Sequence, residues 1–322
     1  MAGLRVMFWG TRGSIPVALN SASIRDKLAR AIVAAAGKGL DTQEKARAWV
    51  ERELDFAVSH TFGGNSACVQ LDGGTKEYVL CDLGSGVRVF GNHVLARDGP
   101  SRSNVYHIFL SHLHWDHIMG FPFFAPAYAP GNTIRIYGCH EEMERALRRQ
   151  QDAPCFPVPF HRLGATIEFV SLEPGLSYDI AGWSVTAKLQ AHSGDSYGYR
   201  LVRDGRIVVY TTDSEHRLDD PNAVEGAAAF FADADLVIFD AMYSLAEAVS
   251  VKEDWGHSSN VVGVELCQLA NAKHLVLFHH EPANDDERIA QIGRETLRYE
   301  EISRSGTPLR ISVAYDGLEI EL

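Results

Sequence analysis

Three imidazoles and a carboxylate fall within six positions, at His112, His114, Asp116 and His117. Such side chains seldom fill a core, because each buried polar atom needs a partner. Their common chemistry is metal ligation. Imidazole and carboxylate suit zinc, manganese or iron, and no thiolate stands nearby to close a structural zinc site. The apolar run 105–110 leads into them and reads as a buried strand. At a strand end, positions i and i+2 share a face, so His112 and His114 converge on one ion. If the chain then turns into a helix, Asp116 and His117 swing towards a second.

The elements that must position this stretch repeat one pattern. Short apolar runs end in His192, Asp213, Asp240 and His279. Strands and helices alternate only partly, and hairpins occur in both halves. That predicts two mixed sheets packed together with helices outside, within a single domain spanning 1–322. Residues 18–58 differ in texture. Ile24, Leu28, Ile32 and Val33 recur at helical spacing, as do Ala46, Trp49, Val50 and Leu54. They read as an inserted helical hairpin, with Asp41 or Thr42 capping its second helix. It serves as a cap over the pocket, as a dimer contact in a homodimer, or as extra packing. Asp82 ends the strand 78–81. It either orients a ligand histidine or, the preferred reading, caps the helix beginning near Val87. Ser258 is the expected N-cap of a helix over 261–269.

Two glycine-punctuated loops, 10–16 and 61–66, offer substrate contacts. Arg12 could reach a phosphate beside loop N–H groups, and Asn65 sits in the second loop. Phe123 and Tyr128, in the aromatic run after the histidines, could stack a nucleobase. The chain has 322 residues, 46% apolar and 22% charged, as in a soluble globular enzyme. Its net charge of −12 disfavours broad contact with nucleic acid, leaving a small molecule as the expected substrate. Five cysteines without C-x-x-C spacing indicate reduced thiols in a cytoplasmic setting. No apolar run is long enough to span a membrane.

These residues resemble the metallo-β-lactamase superfamily, and most strongly its phosphodiesterase branch, which includes tRNase Z and the phosphoribosyl cyclic phosphodiesterases. The H-x-H-x-D-H motif is His112, His114, Asp116 and His117. His192 precedes Gly198-Tyr199-Arg200, Asp213 follows Tyr210-Thr211-Thr212, and His279 is set by Pro282. His257, in Gly256-His257-Ser258-Ser259, matches the branch's His-Ser-Thr signature with Ser for Thr. The resemblance implies an α/β fold, the αββα four-layer sandwich, with 18–58 as an insertion. It also implies two divalent ions, zinc or manganese, with iron as a further option. One is held by His112, His114, His192 and Asp213, the other by Asp116, His117, Asp213 and His279.

The implied reaction is hydrolysis of a small cyclic phosphodiester, such as a cyclic nucleotide or ribose cyclic phosphate, by a metal-bridging hydroxide. His257 is the expected general acid, oriented by a carboxylate such as Asp116. The alternatives are tRNA 3′-end processing, and hydrolysis of a non-phosphate ester such as a thioester or lactone. The absence of a long basic arm counts against the first, and His257 against the second.

Overall fold

The computed structural model describes residues 3–99, 102–243 and 256–322. Strand β1 (Arg5–Gly10) fully encloses Val6 and Phe8 and leaves alternate residues half-buried. That is the period of two expected of a strand with one face on a core. The first sheet continues through β2 (Cys68–Asp72), β3 (Tyr78–Cys81), β4 (Val105–Phe109), β5 (Thr133–Gly138) and β6 (Thr166–Ser171). The second holds β7 (Ser177–Ile180), β8 (Trp183–Gln190), β9 (Ser196–Arg203), β10 (Arg206–Thr211), β11 (Leu236–Asp240), β12 (His274–Phe278) and β13 (Arg310–Val313) in consecutive order. The chain then crosses back, and β14 (Glu319–Glu321) pairs antiparallel with β1.

Strands β3 to β6 pair in parallel, as do β10 to β13. Parallel strands covered on both faces read as continuous apolar runs, and β11 and β12 are buried along their whole length. Between the sheets, Phe8, Val69 and Phe109 meet Trp183, Tyr199, Tyr210 and Phe278. Helix α4 (Gly86–Asp98), reading on past α1 (Ser21–Ala35), α2 (Gln43–Glu53) and the single turn α3 (Phe56–Ser59), covers the outer face of the first sheet through Val87, Phe90 and Val94. Two short helices, α5 (Trp115–Ile118) and α6 (Met143–Gln150), follow on the same side. Helices α7 (Pro221–Phe231), α8 (Asn260–Leu269) and α9 (Asp286–Ser303) cover the second sheet. The result is the expected four-layer αββα sandwich. No helix among the described residues is long and apolar enough to cross a membrane.

Two local expectations change. The N-cap of α8 is Ser259, whose hydroxyl accepts from Val262 N. The neighbouring Ser258 instead donates to Ser214 O at 2.6 Å. In the 18–58 segment the two helices form, and Thr42 caps the second, but neither buries a residue. The apolar stripe of α1 faces outward. Helix α1 is held by its polar face, where Lys27 Nζ lies 2.7 Å from Asp286 and Arg30 lies 2.9 Å from Glu287, both at the start of α9.

Candidate metal centre

Parallel strands deliver their C-terminal ends to one edge of the sandwich, and the polar residues are there. Leu110 and Ser111 carry the chain from β4 to His112 and His114, and α5 then turns Asp116 and His117 inward. His192 lies two residues past β8, Asp213 two past β10, and His279 one past β12. Asp82, Asp213 and His279 adopt positive φ, at 62°, 41° and 61°. Non-glycine residues hold that conformation only where the surroundings enforce it, and such strain concentrates at functional sites.

The donor atoms form two sets that share Asp213, and within each set they lie within 4.8 Å of one another. In the first, Asp213 Oδ2 is 3.6 Å from His112 Nε2 and 3.7 Å from His192 Nε2, and His192 Nε2 is 3.2 Å from His114 Nδ1. In the second, Asp213 Oδ1 is 3.1 Å from His117 Nε2 and 3.2 Å from His279 Nε2. Asp116 Oδ2 is 3.2 Å from each of the same two nitrogens. An ion about 2.1 Å from four tetrahedral ligands would hold them about 3.4 Å apart, so the spacing fits.

The tautomers fit as well. His117 Nδ1 donates to Asp82 Oδ2 at 2.7 Å, and His192 Nδ1 donates to Gly256 O at 2.8 Å. The remaining Nε2 of each ring therefore presents a lone pair to the cluster, the arrangement of metal-binding histidines. His112 Nε2 is buried without a hydrogen-bond partner. A divalent cation in the first set would satisfy that atom together with the His192 lone pair, and one in the second set would take the lone pair of His117, which apolar packing would not do.

The electrostatics agree. Burial pushes the His112 pKa well below its ordinary value, keeping it neutral, and His117 adds to the effect. Burial opposes charge on His117 too, but Asp213, Asp116 and Asp82 outweigh it and raise its pKa. Burial of Asp213 is likewise overridden, by His117, His279 and His112, and its pKa falls. The carboxylates thus create a field that calls for positive charge in the cavity.

Asp82 is a correction. It does not cap α4, whose N-cap Ser85 makes no side-chain cap bond. Fully buried, it accepts from His117, from Ser111 N and Oγ at 2.7 Å each, and from Tyr210 Oη at 2.7 Å. The carboxylate beside His257 is also not Asp116. His257 Nδ1 donates to Asp240 Oδ2 at 2.8 Å, and the ring stacks on His279 with centroids 5.2 Å apart. Burial lowers the His257 pKa, but Asp240 reverses this and raises it to about 9. Sequence reasoning noted Asp240 as a strand end, and that position was the available signal.

Three candidate substrate contacts are occupied elsewhere. Arg12 is buried, with Nε donating to Gly63 O and Nη1 to Glu281 O and Asn284 O. The N–H groups of Thr11 and Arg12 bond Asn65 O, and that of Gly13 bonds His280 O, so they form no anion pocket. Asn65 donates to Asp316 and accepts from Ser85. Tyr128 donates to Pro122 O. Phe123 stays on the surface, 57% exposed, with Phe156 at its edge. Two glycines were missed as site residues. A Cβ on Gly13 would stand 2.6 Å from His279 Cε1, and one on Gly256 2.4 Å from His192 Nδ1. Both let the backbone approach a donor ring.

Residues 77–280 match the family model described as the Beta-lactamase superfamily domain. The chain belongs to this superfamily. It is a metal-dependent hydrolase with the metallo-β-lactamase fold. A ribonuclease Z of Crocosphaera subtropica is 25% identical over 259 residues, covering 64% of this chain and 77% of that one. The metallo-β-lactamase fold protein YhfI of Bacillus subtilis shares the fold at a TM-score of 0.64 and 18% identity, over 99% of this chain and 98% of that one. The short form of human tRNase Z superposes with a TM-score of 0.58 at 19% identity, over 98% of each chain. Relatives named for acting on RNA overturn the expectation, drawn from net charge, that nucleic acid is disfavoured as a partner. Net charge averages over a surface, and an active-site edge need not share its sign.

Proposed function

We propose that this chain is a binuclear metal-dependent phosphodiesterase, with an RNA phosphodiester as its first substrate class. The observation that carries the reading is the His257–Asp240 pair, seated against His279 at the edge of two convergent donor sets. Relatives named ribonuclease Z support the substrate class. His112, His114, His192 and Asp213 would hold one ion, and Asp116, His117, Asp213 and His279 the other. Zinc and manganese suit these donors best, and iron is compatible. When bound, such ions lower the pKa of water towards about 7 and neutralise charge on phosphoryl oxygens. Asp213 gives one carboxylate oxygen to each set. Asp82 and the Gly256 carbonyl fix the tautomers of His117 and His192. Asp240 holds the His257 proton at Nδ1, leaving Nε2–H to protonate the departing oxygen. Placement in the cytoplasm belongs to the same proposal and rests on the reduced cysteines.

A small cyclic phosphodiester is the second reading. Two of the three arginines of α6 favour it, because Arg148 is paired with Glu144 at 2.6 Å and Arg145 with Glu142, which leaves less free positive charge for a long strand. Turnover of a short RNA, of 2′,3′- and 3′,5′-cyclic nucleotides and of bis(p-nitrophenyl) phosphate by the manganese- or zinc-loaded protein separates the two. His257→Ala should slow the alkoxide-releasing substrates by about 10²–10⁴-fold and the p-nitrophenyl ester much less. Equal loss on both would remove His257 from the acid role. Cleavage of a thioester or lactone with no diester cut would overturn the phosphodiesterase reading.

A further inference from the structure

Trp115 is 79% exposed, more than any other large hydrophobic side chain among the described residues. It stands between two donors, His114 and Asp116. Helix α5 explains why it cannot turn in: Asp116, His117 and Ile118 occupy the buried positions of its single turn. The exposure is therefore built by the same turn that aims Asp116 and His117 at the cluster.

The donor sets also differ in access. His112, Asp116, His117, Asp213 and His279 are buried, His192 is half-buried, and His114 is exposed. Gly194, two residues past His192, lies beside the exposed His114 ring, where a Cβ would stand 3.5 Å from Nε2. Of the seven donors, His114 is the most exposed, and the next side chain along the chain is the exposed Trp115. An indole face at that place is costly to leave in water and suits a planar partner, because every base offers a π-face. A protein surface laid on Trp115 would cover the same face.

We infer that Trp115 is a stacking platform for the nucleobase next to the scissile phosphate, so that the site prefers phosphodiesters bearing a base. This inference rests on the phosphodiesterase reading for its kinetic test and is independent of it for the binding test. In the kinetic test, a diribonucleoside phosphate is compared with its analogue lacking the flanking base. Wild-type protein should prefer the base-bearing substrate in kcat/KM, and Trp115→Ala should lose about tenfold of that preference, mainly through KM. Trp115→Phe should retain most of it, which also guards against misfolding as the cause. An unchanged preference in Trp115→Ala overturns the inference. In the binding test, adenosine 5′-monophosphate is titrated into the metal-loaded protein while tryptophan fluorescence is read. Saturable quenching in wild type, absent in Trp115→Phe, supports the platform even if no diester is cut. Identical quenching in both proteins, or none in either, overturns it.

Discussion

At the scale of single residues, one buried carboxylate organises much of the site without facing the cavity. Asp82 takes four hydrogen bonds, one from His117. Replacing it by Asn keeps the volume but removes the charge and one lone-pair oxygen. The amide nitrogen would also face donors. Partners of this kind typically contribute 10- to 100-fold to metal affinity. Asp82→Asn should therefore weaken divalent metal binding by that factor, read by competition with a chromophoric chelator. Unchanged affinity would reduce Asp82 to a packing residue. The residue types of the cluster were legible in the sequence because imidazoles and carboxylates gathered at strand ends seldom serve packing. The orienting carboxylates were not. A strand-end aspartate can cap a helix or hold a histidine, and only the spatial neighbours Tyr210 and Ser111 decide for Asp82. Asp240 was hidden for the same reason: 17 positions separate it from His257, and nothing local links them.

At the scale of elements, legibility followed burial. Strands β4, β11 and β12, enclosed on both faces, announce themselves as apolar runs, and their ends were placed within a residue or two. Edge strands β7 and β13 contain half-buried and exposed positions, and β14 buries only Ile320. Their weak patterns gave no reason to expect them. The α1 stripe shows the converse error. Helical spacing correctly marked a helix, but periodicity cannot say whether an apolar face finds a partner within the chain. What attaches α1 is polar, chiefly Lys27 against Asp286, with Lys27 also donating to His60 O at 2.8 Å. Lys27→Met should release this helix while leaving the sandwich intact. Limited proteolysis within 18–58 should accelerate several-fold, and Tm should fall by no more than a few degrees. A large loss of Tm would show that the insertion stabilises the whole domain.

At the scale of the whole molecule, three histidines outside the donor sets make stability depend on acid. Burial lowers the pKa of His216 and His274 to about 4 and of His280 to about 3, from an ordinary 6.5. His216 stacks on Phe239, and His274 meets Ser312 at 2.8 Å. Their folded-state values are depressed, so between about 4 and 6.5 the unfolded chain binds more protons and stability rises with pH. For His216 and His274 the contribution is full above 6.5 and lost as pH falls to about 4, at up to about 3 kcal/mol per group, and for His280 the loss continues to about pH 3. Denaturant midpoints of the metal-free protein should drop steadily over that window. His216→Phe should flatten the slope, and an unaltered slope would assign the acid sensitivity to other groups.

The order in which the donors occur along the chain has a consequence for biogenesis. The first set is complete once Asp213 has been made, whereas the second waits for His279, 66 positions later (279 − 213). Asp213 sits in both. During synthesis from the N-terminus, all four donor residues of the first set are therefore present in the chain before the second set is complete, although the Gly256 carbonyl that orients His192 follows later. Loading would then be sequential, with the early ion already gripping the shared carboxylate when β12 docks and brings its histidine to the other oxygen.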